Sequence, residues 1–140
     1  MSRKDGPDSL PKSIENIAVN SLAKKIFFLQ TTTLKKLKVN TVEHRYKNHE
    51  LIGEYIVKYK DGSTVKIPIK YREQVADWND YGGCVNSWLA FKTKTKDQFL
   101  FQLYALEWDN PSPGKEIESI GIKSADGSVS LTVAAITLAQ

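Results

Sequence analysis

EYIVKYKDGSTVKIPIKY, residues 54–71, decides the architecture of this chain. Two runs in which apolar and polar residues alternate flank Asp61-Gly62, a pattern that reads as two antiparallel strands joined by a tight turn. Side-chain parity then selects the register. A two-residue loop on Asp61-Gly62 would set Lys58 opposite Val65 and Val57 opposite Lys66, mixing charge and hydrocarbon on each face. A three-residue loop, with Lys60-Asp61 in a type I turn and Gly62 left-handed as a bulge, sets Val57 opposite Val65 and Tyr55 opposite Ile67. Tyr55, Val57, Val65, Ile67 and Ile69 then share one apolar face, so this register is expected. Pro68 has no N–H to give to a ladder, which places its strand near an edge or a bulge.

The rest of the chain reads in the same way. KKIFFLQTTT (24–33) is a short run rich in β-formers, CVNSWLAFKT (84–93) a strand, and QFLFQLYALEW (98–108) a longer strand apolar on both faces, as a central strand needs. DNPSPG (109–114) is turn chemistry, because both prolines stop the ladder. IESIGIKS and SVSLTVAAITLA follow, separated by another Asp-Gly at 126 and 127. SLAKKI and LKKLKV offer at most a turn or so of helix. Many short strands with Gly/Pro punctuation predict an all-β fold, an antiparallel β-sandwich.

Length and composition agree with that expectation. A chain of 140 residues, 41% hydrophobic and 26% charged, is long enough to bury a sizeable core in one domain. We expect a flexible polar segment over residues 1–12 and a single β-sandwich domain over 13–140. The net charge of +4 is partly local: Lys35, Lys36, Lys38, Arg45 and Lys47 crowd a segment whose one acid is Glu43. A nucleic-acid binder shows a denser basic stripe interleaved with planar stackers, so a solvated lysine-rich loop is expected and nucleic acid is not. Cys84 is the one cysteine, which leaves no internal disulfide. The opening MSRKDGPDSLPKS is polar, and no apolar run approaches the ~18 residues of a membrane span, so no membrane partner is expected.

The order of landmarks adds a resemblance. SIENIAVN, IFFLQTTT, YIVKYKDGSTVKIPI, ADWN, NSWLAF, LYALEWDNPSPGKEIESIGIKS and a final AAITL together resemble the jelly-roll, galactose-binding-like sandwich found as an accessory domain in bacterial glycoside hydrolases and related polysaccharide-degrading proteins. The likeness covers roughly residues 10 to 140, and its sharpest pieces are YKDGSTVKIPI, ADW and EWDNPSPGKEI. It implies a carbohydrate ligand, a catalytic glycoside hydrolase domain in the same or a neighbouring chain, and an extracytoplasmic site if the parent protein is secreted. The residues themselves leave the compartment open. Two departures stand out. Such sandwiches have one or more strands ahead of the segment that begins here near Ser13, so either the domain is trimmed or something outside the chain completes the sheet. LKKLKVNTVEHRYKNHE is longer and more basic than the loop expected at that place. An open edge left by missing strands would be a template for self-association.

Sugar binding by a sandwich needs flat aromatic rings for the C–H-rich side of a pyranose, with acids or amides for its hydroxyls. DWNDYGGCVNSW (77–88) offers such a set: Trp78 and Tyr81 as stacking rings, flanked by Asp77 and Asp80 and loosened by Gly82-Gly83, with Glu107 as a further acid. Loops on a rigid sandwich are where binding residues concentrate. Trp88, within a strand, and Trp108, at the end of the central strand, are expected in the core. Asp77 and Glu107 can equally serve as acceptors that pin turns.

No catalytic grouping is expected. His44 and His49 lack the spacing of a zinc site, Gly82-Gly83 lacks a phosphate-loop pattern, and the rim acids alone do not make a glycosidase. No metal or cofactor is expected. Structural calcium is common in the sandwiches this chain resembles, yet no Asp-rich loop here predicts it. The sequence reading is a non-catalytic carbohydrate-binding or accessory module, with a structural or protein-interaction sandwich that binds no sugar as the alternative.

Overall fold

The computed structural model describes residues 13–34, 50–76, 84–94, 96–97, 100–125 and 129–140. The segment 1–12, the basic tract with His44 and His49, and residues 77–83 lie outside the described residues. Eight strands follow in order: β1 (Ser13–Ser21), β2 (Lys25–Leu34), β3 (Leu51–Tyr59), β4 (Thr64–Lys70), β5 (Trp88–Lys94), β6 (Leu100–Asp109), β7 (Ile117–Ser124) and β8 (Val129–Ala139). They form two four-stranded sheets, which we call sheet I (order β1-β7-β3-β4) and sheet II (order β5-β6-β2-β8). Every pairing between named strands is antiparallel. The two sheets share one core, so the fold is a β-sandwich.

The β3–β4 hairpin has the register that parity predicts. Tyr55 faces Ile67, Val57 faces Val65 and Lys58 faces Thr64. Gly62 takes φ 90°, where a side chain is rarely tolerated, and its N–H reaches the Tyr59 carbonyl at 3.0 Å. The Asp61 carboxylate accepts from the Ser63 amide (2.8 Å) and hydroxyl (2.5 Å) and pairs with the Lys115 ammonium at 2.9 Å. Pro68 sits on β4, an edge strand, where a missing donor costs no ladder bond.

The inner faces interlock around aromatic rings. Ile26 and Phe28 of β2 and Leu106 of β6 meet Tyr55, Val57 and Tyr59 of β3 and Ile117, Ile120 and Ile122 of β7. Phe28 stacks on Tyr55 with centroids 4.0 Å apart and planes at 10°, joining the sheets through two rings. Each such side chain contributes roughly 1.5–3 kcal/mol on leaving water, before the entropy of ordering it. Trp108 packs half-buried against this core, as expected.

Two buried polar chains orient the layers. The Tyr55 hydroxyl donates to Gln30 Oε1, Gln30 Nε2 donates to the Gln74 carbonyl, and the Lys70 amide donates to Gln74 Oε1 at 2.8 Å. The chain after β4 is thereby tied to sheet II, and the Thr32 amide adds a bond to the Ala76 carbonyl at 3.3 Å. On the opposite end, the Tyr59 hydroxyl donates to Asn110 Oδ1 at 2.6 Å and Asn110 Nδ2 donates to the Ala23 carbonyl at 2.8 Å. Asn110 is the buried anchor of the Asn-Pro-Ser-Pro turn, since its Oδ1 also accepts from the Ser112 amide at 2.9 Å. Because these groups are partnered, their hydrogen bonds offset the cost of leaving water.

Candidate functional site

Partners directly opposite in a sheet point to the same face, so the registers assign every side chain to the core or to the outside. The outer face of sheet I carries Glu54, Ile56 and Lys58 of β3, Lys66 and Pro68 of β4, and Gly121 and Lys123 of β7, charged for the most part. Lys58 also pairs with Glu118 at 3.2 Å. This is the polar exterior a sandwich ordinarily turns to water.

Sheet II is different. Its outer face holds a row, Trp88 of β5, Ala105 of β6, Leu29 of β2 and Ala135 of β8, with no polar side chain across all four strands. Beside that row lie Glu107, Phe27 and Thr137, and then Asp109, Lys25 and Ala139. On the other side, Phe91 faces Leu103 and Thr93 faces Phe101. Trp88 and Phe91 are 47% and 48% exposed, which marks the patch as open to solvent. Phe27 meets Trp88 with centroids 6.2 Å apart and planes at 75°, and Phe91 meets Phe101 at 6.4 Å and 71°. A contiguous apolar patch rimmed by polar residues is the usual mark of an interaction surface.

The rim at the Lys25 end is charged. The Lys25 ammonium bonds Glu107 and reaches Asp109 at 3.2 Å. The hydrogen bond to Glu107, then that to Asp109, raises the Lys25 pKa above its ordinary value, since both favour the charged ammonium. Asp109 remains largely exposed and has acceptor capacity left for a ligand.

Of the residues singled out in the sequence, Asp77, Trp78, Asp80 and Tyr81 lie outside the described residues. Before them, the Ala76 carbonyl accepts from the Thr32 amide, and after them the Val85 amide donates to the Arg72 carbonyl at 3.0 Å. Glu107 faces Phe27, five residues along β2 from Thr32, or roughly 16 Å at strand rise. It belongs to the corner with Lys25, apart from the Thr32–Ala76 contact.

Trp88 corrects the sequence expectation. It is not in the core but on the outer face of an edge strand. Trp-Leu-Ala-Phe looks like a strand apolar on both sides, yet an extra residue at Ala90 shifts the register between Leu89 and Phe91. The bulge puts Trp88 and Phe91, three apart in sequence, on one face. Phe27, Leu29 and Leu103 were likewise not singled out. Their signal lies in the apolar run IFFL and in FLFQLYAL, apolar except for Gln102, which supply more hydrocarbon than one core face can use.

No family model matches this chain, and no curated protein or solved structure matches it either. Among the described residues, no group of three or more His, Cys, Asp or Glu is placed to hold a metal ion.

Proposed function

We propose that this chain is a non-catalytic carbohydrate-binding or accessory module of the jelly-roll, galactose-binding-like kind. In this reading it holds a saccharide on the outer face of sheet II and keeps a polysaccharide-degrading catalytic domain close to its polymer. One observation supports it above the others: an apolar row runs from Trp88 to Ala135, with both of its ends exposed, on a face that a free-standing sandwich would make polar.

The chemistry of the face fits such a ligand. The half-exposed Trp88 ring offers a flat apolar surface for the C–H side of a sugar. Glu107 stands in the next row on the neighbouring strand, and Lys25, Asp109 and Thr137 lie farther across the same face as hydroxyl partners. Partners are needed because each sugar hydroxyl left unmatched on burial costs about 1–3 kcal/mol. Trp78, Tyr81, Asp77 and Asp80, singled out in the sequence, belong to the same reading. The benefit to an enzyme is effective concentration: tethering raises occupancy at the polymer without new catalytic contacts.

Protein docking is the second reading, and the ring geometry favours it. The two ring pairs meet at 75° and 71°, edge to face, and Leu29, Leu103 and Ala105 add aliphatic surface that a sugar does not require. In that case the face seats the catalytic domain itself, as an apolar interface centre with a polar rim.

Affinity electrophoresis separates the readings, using native gels containing soluble β-glucan, xylan, galactan or pectin. Saccharide binding predicts retardation in at least one gel, lost in Trp88→Ala. Unretarded migration in all of them removes the saccharide reading and leaves docking.

A further inference from the structure

The four sheet edges are not equivalent. β1 is bent by two bulges, each containing an asparagine with positive φ, Asn16 at 59° and Asn20 at 49°. β4 carries Pro68 between Lys66 and Lys70, and β5 carries Lys92 and Lys94. Bulges, proline and lysine are the usual devices that stop an edge from pairing with another chain. β8, the remaining edge, is VSLTVAAITLA: eleven residues with no charge, no proline and no glycine. Among the described residues it has β2 on one side and no strand on the other.

From this contrast we infer that β8 pairs antiparallel with β8 of a second copy, fusing the two copies of sheet II into one continuous eight-stranded sheet. The register argues for a second copy in particular. β8 has one bulge, at Ala134, because Leu29 faces Ala135 while Gln30 faces Val133. Leu131, Val133, Ile136 and Leu138 therefore point inward, opposite Thr32, Gln30, Phe28 and Ile26, while Thr132 and Thr137 point outward, opposite Thr31 and Phe27.

One antiparallel register keeps every pair on a common face. Leu131 meets the second copy's Leu138, Thr132 meets its Thr137, and Val133 meets its Ile136. The two-fold repeats each pair in reverse. Between the Val133 and Ile136 pairs, both copies run through Ala134 and Ala135, so the two bulges fall opposite each other and the ladder stays in step. A strand without this bulge would change face at that point. The outward threonine pairs are favourable cross-strand neighbours. The contact is isologous, so it closes at two copies and does not propagate.

The core beneath also has room for a further strand. β8 packs across the sandwich on β3 and β7, and β1 lies beyond β7 in sheet I. Ile14 of β1 faces inward opposite Ile122, yet it is 48% exposed. Leu131, Val133, Ile136 and Leu138 are only half-buried although they face the core. A second β8 would lie over this uncovered step. The sequence had pointed to an edge left by missing N-terminal strands, whereas here β1 is a bulged edge and β8 is the open one. Because paired strands keep their faces, the dimer also turns both Trp88 faces to the same side, giving a bivalent surface.

Sedimentation equilibrium over a concentration series tests the inference, with three variants. The parent chain is expected to dimerise. Thr132→Lys with Thr137→Lys sets like charges opposite each other twice per dimer and should weaken association by about tenfold or more. Thr132→Lys with Thr137→Glu sets opposite charges together in the same register and should restore it. Both positions are exposed, so the fold is retained, as thermal melts will confirm. Trp88→Ala should dimerise like the parent, which separates this inference from the saccharide reading. A parent that stays monomeric throughout, or a double-lysine variant that dimerises as tightly as the parent, would overturn it.

Discussion

At Gly53 the backbones of β3 and β7 approach so closely that an added Cβ would stand 2.4 Å from the Lys123 carbonyl oxygen. A rigid main-chain atom cannot step aside as a side chain does, so Gly53→Ala should cost roughly 1–3 kcal/mol in urea unfolding. Tyr55 stands out for its hydroxyl. Tyr55→Phe keeps the stack on Phe28 but leaves Gln30 Oε1 buried without its donor, an expected loss of about 1–3 kcal/mol. Burial also pushes the Tyr55 phenol well above its ordinary value of 10.0. The sign follows from linkage: the folded state resists losing this proton, so the stability it contributes is full below pH 10 and falls as pH rises above it. In an alkaline titration followed by phenolate absorbance, one tyrosine should ionise only together with unfolding. Tyr55→Phe should remove that step.

The β3–β4 hairpin shows which elements a sequence makes legible. Its turn residues and the two-residue side-chain period act between neighbours in the chain, so Asp61-Gly62 and the parity of Val57 with Val65 were sufficient to read it. β5 was not legible in the same way. The bulge at Ala90 lies in the ladder with β6, the next strand, but no turn residue or break in the hydrophobic pattern marks where it falls, so no local signal told Trp88 from a core residue. The hairpin also carries a pH dependence. Hydrogen bonds from Ser63 and the charge of Lys115 hold the Asp61 carboxyl below its ordinary value of 3.8. Its contribution is therefore present above that value and lost as pH falls through the lowered one. Asp61→Asn should melt below the parent at pH 7, and the gap should shrink on acidification below pH 4. A gap unchanged down to pH 2 would show that the charge is not what holds the turn.

At the scale of the molecule, strand spacing was enough to announce an antiparallel sandwich, whereas strand order was not readable. β1 pairs with β7 and β2 with both β6 and β8, contacts between segments far apart in the chain. Those long-range pairings are what gather Phe27, Leu29, Trp88 and Leu103 onto one face. The sequence singled out Asp77, Trp78, Asp80 and Tyr81, which lie outside the described residues, and Glu107, but not the sheet II face, whose residues meet only through those pairings. The sheet face is the central claim, and its weight rests on the contrast between a mostly charged exterior on sheet I and the apolar row that crosses all four strands of sheet II. An amide and indole NMR titration with oligosaccharides from whichever polymer retards the protein tests this claim most directly. We predict shifts concentrated on the Trp88 indole N–H and on the amides of Leu29, Phe91 and Ala105. Shifts confined to sheet I or to residues 77–83, with Trp88 unmoved, would contradict it.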